Sequence, residues 1–373
     1  MPEQLVWQVL YIDDDSDNLK QIKELLDGME CRNGKLLVTI SDKFDDALDL
    51  LGSHRYDLVI LDVRLGPLTS KVIEEAGAKT LRSIQAKQFI PVIFYTALPS
   101  HVADLASPLV KVIEKTAGAK LLPDIIRSVF DSLLPIINRA LINHMETIQK
   151  EYMWDFVAKN WGQLSTSPDH SALAYLLARR LAVSLSERGI EGLIKSIGGT
   201  AGQATDGVHP MQYYVMPPIN ADYLAGDIFQ GKILENDGYW VLLSPSCDLV
   251  SGRVAAEHAL FAKSNSLSTQ KEYQKWKEKP NEDNNITNLK EFMANRRKDR
   301  YFYLPAVLSI PDLVVDLQAL ATLPFESMNT LKRIASLDSP YAEALLNRFS
   351  RYFGRLGVPD LDVVTAIARL SAL

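Results

Sequence analysis

The sequence predicts an α/β fold in its first third, then a helical segment and a C-terminal α+β domain. In residues 1–134, short runs rich in Val, Ile and Leu alternate with stretches of helical periodicity, as in βαβ units. Four of these apolar runs end in carboxylate, hydroxyl or ammonium side chains. The carboxyl ends of parallel strands share one edge of an open sheet, where such folds bind ligands. A binding site is therefore expected at that edge.

Length and composition limit the classes of protein that fit. The 373 residues are 47% hydrophobic and 23% charged, with a net charge of -6, which predicts two or three globular domains. Residues 1–134 contain 15 Lys+Arg against 20 Asp+Glu, and the remainder contains 25 against 26. A nucleic-acid-binding domain usually carries a basic excess. The near-neutral remainder argues against nucleic-acid binding without excluding it.

Cysteine usage and hydropathy favour a cytoplasmic protein. Cys31 and Cys247 are far apart and form no CxxC pair, which argues against a disulfide framework or a thiolate zinc site. No apolar run reaches the ~18 residues needed to span a bilayer. The N-terminus lacks the basic region of a signal peptide. We therefore expect cytoplasmic localisation and no membrane association.

Five strands are predicted in residues 1–134, at about 6–12, 36–41, 57–62, 90–96 and 109–114. Apolar residues spaced three and four apart predict helices between them, with Asp15 or Ser16 capping the first helix. The connection between the last two strands, residues 98–108, is short. Its helix is expected to be only two turns long or distorted.

Acidic side chains end two of the predicted strands, Asp13 and Asp14 after the first and Asp62 after the third. Mg²⁺ prefers oxygen ligands and typically uses one or two carboxylates. Phosphoryl transfer to a carboxylate needs such a cation to offset charge on the phosphoryl oxygens. Three clustered carboxylates without a cation would repel one another. These residues therefore predict a magnesium site, with Asp62 as the candidate nucleophile.

Residues 5–134 resemble the receiver domain of two-component response regulators. The resemblance rests on four motifs taken together: Val9–Asp15, Leu58–Leu65, Pro91–Ala97 and Glu114-Lys115. It implies a flavodoxin-like (βα)5 receiver with a parallel five-stranded sheet. It also implies that a cognate histidine kinase or phosphotransfer protein phosphorylates Asp62.

The resemblance further assigns roles to individual residues. Mg²⁺ would be held by Asp13, Asp14, Asp62 and the backbone carbonyl of Arg64. The phosphate-binding and switch residues would be Thr96, Ala97 and Lys115.

Two positions depart from the family pattern. Thr116 stands where the family usually has proline, and Val112 stands where an aromatic switch residue is common. Together with the short 98–108 connection, these departures predict that the surface which passes the signal to the output is remodelled.

A helical linker is predicted next, in residues 135–207. Its first part, 135–163, carries an apolar stripe of Ile137, Leu141, Met145, Ile148, Tyr152 and Phe156. The stripe could pair two copies of the chain in a homodimer, or it could pack against the chain's own C-terminal domain. Both alternatives stay open at this point.

Residues 208–373 are predicted to form an α+β output domain with a small, antiparallel, barrel-like sheet. Strand signals occur at 226–229, 239–243, 254–261 and 301–308, with Asn236-Asp237-Gly238 as a turn between the first two. Residues 226–244 faintly resemble the start of the SH3-like barrel of toxin-type ribonucleases. That resemblance assigns no catalytic residues. Separately, Cys247, Asp248 and His258 lie within a dozen residues of one another, which makes Cys247 a candidate nucleophile and His258 its candidate base. In the alternative, Cys247 is a small buried side chain and His258 lies on a surface strand.

The leading hypothesis is a response regulator whose C-terminal domain is a protein-interaction or regulatory module. Two alternatives concern that domain: a phosphorylation-controlled effector with nuclease activity, or a nucleic-acid-binding regulator. Whether it has enzymatic activity is left open by the sequence.

Overall fold

The computed structural model describes residues 5–62, 79–118, 120–164, 171–185, 207–219, 221–250, 252, 256–355 and 361–371. The chain divides into two compact units, Met1–Ala204 and Thr205–Leu373. Each unit is built around one β-sheet. None of the helices in the described ranges combines the length and apolarity needed to cross a membrane.

The first sheet has six strands in the described residues, in the order β2-β3-β1-β4-β5-β6. They are β1 (Leu5–Ile12), β2 (Glu30–Cys31), β3 (Gly34–Ser41), β4 (Leu58–Leu61), β5 (Val92–Thr96) and β6 (Val110–Glu114). Every neighbouring pair is parallel except β2–β3. Without the two-residue β2, which the sequence did not predict, the order is the 2-1-3-4-5 order of flavodoxin-like folds.

Helices cover both faces of this sheet. They are α1 (Ser16–Leu26), α2 (Phe44–Ser53), a helical stretch at 79–85, α3 (Lys115–Gly118) and α4 (Leu122–Asp131). As predicted, Asp15 caps α1, because its side chain accepts hydrogen bonds from two backbone N–H groups of the first turn. Apolar side chains form one core on each face of the sheet. The strands between them are therefore buried on both sides, as in other parallel sheets.

The connection between β5 and β6 contains two short 3₁₀ turns, Pro99–His101 and Ala103–Leu105, instead of a full helix. This confirms the expectation of a shortened element. Val102, between the turns, is completely buried and joins the core on that face of the sheet. One apolar side chain thus fills space that a longer helix would cover.

A long helix, α5 (Leu134–Glu151), follows α4 and continues as a π-helical segment, Tyr152–Val157. Two further helices in the first unit are α6 (Trp161–Leu164) and α7 (Ser171–Ser184). His144 of α5 hydrogen-bonds the backbone oxygen of Ser184 at 3.2 Å, so α5 and α7 are in contact. The predicted apolar stripe is only partly covered, since Met145 and Phe156 remain 43% and 42% exposed.

The second sheet has seven strands in the described residues, all antiparallel, in the order β11-β12-β10-β9-β8-β13-β7. They are β7 (Tyr214–Val215), β8 (Asp227–Ile233), β9 (Asn236–Leu242), β10 (His258–Ser266), β11 (Tyr301–Leu304), β12 (Leu313–Pro324) and β13 (Lys332–Leu337). Tyr214 on one edge strand donates a 2.7 Å hydrogen bond to the carbonyl of Pro305, next to the other edge strand. The sheet is therefore curled, with both edges contributing to one core.

The β8–β9 hairpin corrects one expectation. The turn lies at Leu234 and Glu235, not at Asn236–Gly238, and Leu234 adopts a left-handed backbone with φ 53°. Gly238 instead lies in β9 opposite Gly231. A Cβ at Gly231 would come within 2.9 Å of the Leu331 side chain, so packing of Leu331 requires glycine there. The register therefore follows this packing rather than the local turn signal.

Within its described residues the second unit also has four α-helices: α8 (Lys271–Glu278), α9 (Asp283–Met293), α10 (Tyr341–Phe353) and α11 (Val363–Ser371). The 265–300 region, expected as an excursion or surface helix, contains α8 and α9. Leu289 and Phe292 of α9 pack against Tyr303 and Val314 of the sheet. Leu345 and Tyr352 of α10 are buried in the core shared by the two sheet edges.

Candidate functional site

Asp13, Asp14 and Asp62 meet at the carboxyl ends of β1 and β4. The two strands pair in parallel with Ile12 opposite Leu61, and the N–H of Asp62 donates to the carbonyl of Ile12 at 2.9 Å. One carboxylate oxygen from each aspartate lies within 4.8 Å of the others. Asp13 and Asp62 are buried and Asp14 is exposed. The site is thus open to solvent on one side only.

Lys115 links two of these carboxylates. It is the first residue after β6, and its Nζ lies 2.8 Å from Asp13 Oδ2 and 2.6 Å from Asp62 Oδ2. Burial alone would lower the pKa of Lys115, but the hydrogen bonds and negative charges of Asp13 and Asp62 outweigh it and raise the pKa. The side chain is therefore a fixed ammonium beside the candidate nucleophile.

Tyr11 holds Asp13 in position. Its hydroxyl donates to Asp13 Oδ2, and the N–H of Asp15 donates to Asp13 Oδ1 at 3.0 Å. Burial, and then the hydrogen bond to Asp13, raise the pKa of Tyr11, so the phenol stays a donor. Tyr11 is not among the site residues predicted from the sequence. The available signal was its place two residues before Asp13, because alternate residues of an extended strand face the same side.

Thr96 and Ala97 lie at the same edge of the sheet. Thr96 ends β5, pairs with Glu114 directly before Lys115, and is completely buried. Its Oγ1 accepts a 3.2 Å hydrogen bond from the N–H of Leu98. Ala97 follows at the strand end and is partly exposed. The backbone of Arg64, the remaining predicted ligand, lies outside the described residues.

The two departures from the family pattern are also visible. Val112 is partly buried and packs in the core on the face that includes Val102. Thr116 turns outward and donates a 2.7 Å hydrogen bond to Glu114. Val112 is thus a small aliphatic residue at the position where the family commonly has an aromatic residue. The connection that precedes its strand consists of two 3₁₀ turns.

The donor set fits a magnesium ion. Three carboxylates and one ammonium leave two negative charges, which one divalent cation balances. Mg²⁺–oxygen distances of about 2.0–2.1 Å place opposite ligands roughly 4 Å apart, close to the spacing of the aspartate oxygens. The oxygens of Asp13 already accept three hydrogen bonds. Asp14 and Asp62 are therefore the better placed direct ligands.

Sequence comparison agrees with this geometry. The family model for the response regulator receiver domain matches residues 9–127. These residues form a receiver domain. Its flavodoxin-like fold is thereby confirmed, and the match covers the aspartate cluster and Lys115. No curated protein sequence matches the chain.

Solved structures similar to the receiver domain include three response regulators or chemotaxis proteins. The response regulator TrrA from Thermotoga maritima, in complex with Mg²⁺ and BeF, is 22% identical over 33% of this chain and 98% of its own, with a TM-score of 0.26. The chemotaxis protein CheY4 from Vibrio cholerae is 15% identical over 34% and 99%, with a TM-score of 0.25. Full-length FixJ from B. japonicum is 20% identical over 52% and 91%, with a TM-score of 0.27.

The two candidate catalytic residues of the C-terminal unit, Cys247 and His258, lie outside the receiver domain. Cys247 is exposed in a 3₁₀ turn and its thiol donates to Asp248 at 3.4 Å, while His258 is exposed at the start of β10. No hydrogen bond joins the two within the described residues. The alternative in which Cys247 is a buried side chain is wrong, whereas His258 does lie on a surface strand, as the same alternative expected. The hydroxyls of Ser244 and Ser246 accept hydrogen bonds from backbone N–H groups and hold the turn in place. Cys247 lies on the solvent side of this turn.

Proposed function

We propose that the protein is a response regulator that receives a phosphoryl group on Asp62 and passes the signal to its C-terminal unit. The donor would be the phosphohistidine of a histidine kinase or phosphotransfer protein. The observation that carries the proposal is the Lys115 ammonium, 2.6 Å from Asp62 and 2.8 Å from Asp13 within the aspartate cluster. This arrangement holds positive charge where phosphoryl oxygens would lie.

In the proposed reaction, a carboxylate oxygen of Asp62 attacks the phosphorus of the phosphohistidine. An O–P bond forms, the P–N bond breaks, and the imidazole leaves with the bonding pair and takes up a proton. Bound Mg²⁺, held by Asp13, Asp14, Asp62 and the carbonyl of Arg64, would offset charge on the phosphoryl oxygens. Tyr11 and Lys115 keep Asp13 oriented throughout.

Thr96, Ala97 and Lys115 are the proposed phosphate-binding and switch residues. Lys115 would exchange its contact with the Asp62 carboxylate for one with a phosphoryl oxygen. Thr96 would exchange its hydrogen bond from Leu98 for one to the phosphoryl group. Because Leu98 directly precedes the first 3₁₀ turn, this exchange would act on the remodelled connection rather than on a full helix.

The proposal also includes the division of the chain into domains and its localisation. Residues 1–134 are the receiver, 135–207 the helical linker and 208–373 an α+β output domain with a barrel-like sheet, in a cytoplasmic protein. Pairing of two copies through 135–163, and contact of the output with nucleic acid, stay predictions.

Phosphorylation of the full chain tests the proposal. With acetyl phosphate and Mg²⁺, the wild type should gain the mass of one phosphoryl group, and hydroxylamine should remove it, as expected for an acyl phosphate. Asp62→Asn should gain nothing. Asp49→Asn, on the exposed face of α2, is the matched control and should label like the wild type. Labelling of Asp62→Asn, or no labelling of the wild type, would refute the proposal.

A further inference from the structure

A second site lies at the opposite end of the receiver sheet from Asp62. A cleft of about 740 Å³ is bounded by the end of α2 and residues 54–57, by residues 87–89, and by residues 138–143 of α5. Its volume is within the range of small-molecule sites, about 300–1,000 Å³. We infer that this junction cleft binds a small organic anion that carries a flat apolar group.

The charge of the junction cleft comes from Lys87. Arg139 is paired with Asp57 at 3.0 Å and Arg55 with Glu146 at 2.7 Å, so both guanidinium charges are balanced. Lys87 forms no ion pair within the described residues. Its Nζ lies beside Gly52, 3.8 Å from where a Cβ of that residue would stand. That distance is an ordinary van der Waals contact, and Lys87 is exposed. The cleft therefore presents an ammonium that has no ion-pair partner among the described residues, and an anionic ligand would balance it.

Polar groups that lack protein partners line the same cleft. Tyr56 is 7% exposed overall, and its hydroxyl reaches solvent without a hydrogen bond from the described part of the chain. The side-chain amide of Asn143 is similarly unengaged there. Both groups can donate and accept hydrogen bonds. A ligand with acceptor oxygens would therefore replace water at these two groups, in addition to its contact with Lys87.

One wall of the cleft is apolar. The Phe89 side chain is 47% exposed although it is a large aromatic residue. Ile142 of α5 and Leu51 of α2 also line the cleft. Phe89 and Lys87 both line the cleft. An exposed aromatic ring and an ammonium in one cleft favour a ligand that combines a flat apolar group with a negative charge.

Occupancy of the junction cleft would stabilise the docked position of α5. The cleft exists only where α5 lies against the receiver, because its walls come from both. A ligand that binds this state and not the undocked one stabilises it by mass action. The site would therefore be a second input to the linker helix, separate from phosphorylation of Asp62.

A pair of fluorescent probes tests the inference on the full chain. 8-Anilinonaphthalene-1-sulfonate has a sulfonate and a flat ring system, and N-phenyl-1-naphthylamine has the same rings without the charge. Lys87→Met should weaken sulfonate binding about tenfold, corresponding to about 1.4 kcal/mol, and leave binding of the neutral probe unchanged. Lys79→Met, at the exposed start of the helical stretch that precedes Lys87, should change neither.

Gly52 supplies a second, independent pair of variants. Gly52→Leu should fill the cleft and abolish binding of both probes, whereas Gly52→Ala should retain it because an added Cβ meets only Lys87 Nζ at 3.8 Å. Circular dichroism checks that each variant is folded. Equal sulfonate affinity in the wild type, Lys87→Met and Lys79→Met would overturn the inference, as would equal losses in both lysine variants. Full binding by a folded Gly52→Leu would also overturn it.

Discussion

The Asp13 carboxylate accepts hydrogen bonds from Tyr11, Lys115 and the N–H of Asp15. Its position is therefore set by the protein before any cation arrives. Asp14, in contrast, is exposed and can adjust its side chain to a ligand. This combination of a fixed and an adaptable carboxylate suits Mg²⁺, which demands near-octahedral geometry.

Replacing Lys115 tests whether its ammonium balances the negative charge of the Asp13 and Asp62 carboxylates. Lys115→Met leaves the Asp13 and Asp62 carboxylates without their ammonium partner. We expect the free energy of unfolding to fall by on the order of 2 kcal/mol in the presence of a chelator. Mg²⁺ should restore most of this loss, because the cation supplies the missing positive charge.

Thermal unfolding with and without Mg²⁺ measures the effect. The stabilisation by Mg²⁺ should be larger in Lys115→Met than in the wild type. Lys120→Met, at an exposed position after α3, serves as a charge-matched control and should behave like the wild type. Equal Mg²⁺ stabilisation in all three proteins would contradict the expected role of Lys115.

The buried carboxyl group of Asp57 should make the free energy of unfolding depend on pH. Burial raises its pKa from an ordinary 3.8 to about 6, and Arg139 and the N–H of Gln8 oppose the shift only partly. Between about pH 4 and pH 6 the folded protein holds this proton and the unfolded chain does not. The contribution of Asp57 to the free energy of unfolding therefore falls as the pH rises through this window, and it is constant above it.

Asp57→Asn should remove that dependence. The stability of the variant relative to the wild type should rise between pH 4 and pH 6 by on the order of 2–3 kcal/mol. Urea unfolding at several pH values gives this difference, in which the titration of other groups cancels. Asp124→Asn, at an exposed ion pair, should show no such trend. A constant difference for Asp57→Asn would show that the carboxyl is not perturbed.

At the scale of elements, one arginine attaches α5 to the receiver sheet. Arg139 donates to the carbonyl of Val6 at 2.6 Å, pairs with Asp57 and lies over the ring of Trp7 at 4.8 Å. The helix contacts strand β1 and the residue preceding β4, at the end of the sheet away from Asp62. The first turns of α5 are thus part of the receiver's packing.

Arg139→Met should loosen α5. The change leaves a buried carboxylate without its partner, so the free energy of unfolding should fall by about 3 kcal/mol, and backbone hydrogen exchange in α5 should accelerate. Adding Asp57→Asn should recover part of the loss, because no unpaired charge is then buried. Arg127→Met, which removes only an exposed ion pair, should leave α5 protected. Unchanged exchange in Arg139→Met would refute the attachment.

At the scale of the whole molecule, the described core residues form separate clusters. Those around the first sheet come from residues up to 136, and those around the second from residue 213 onward. The second unit has its own buried charge pair, in which Arg333 lies 3.0 Å from the fully buried Asp227. Each sheet therefore has its own determinants of stability.

Arg333→Met should destabilise the second unit alone. The buried Asp227 would lose its cation, at a cost of about 3–5 kcal/mol. Calorimetry should show one unfolding transition moving to lower temperature, while phosphorylation of Asp62 by acetyl phosphate continues. Lys332→Met, at the exposed neighbouring position, is the control. If both unfolding transitions moved to lower temperature and phosphorylation of Asp62 were lost, the two units would not fold separately.

The sequence by itself determined the receiver sheet and the aspartate cluster. Both depend on local signals: apolar runs define strands, and a parallel arrangement then brings their carboxyl ends, with Asp13, Asp62 and Lys115, to one edge. The helix cap at Asp15 and the shortened 98–108 connection could be predicted from the sequence because they also depend on local signals.

Only the tertiary structure decided the contacts that join distant positions. Arg139 reaches Val6 across the receiver, Gly231 faces Leu331, and Lys87 occupies the space beside Gly52. The hairpin register and the exposure of Cys247 also depended on packing. Such contacts follow from how side chains fill space once the elements assemble, and neither periodicity nor motif spacing along the chain encodes that arrangement.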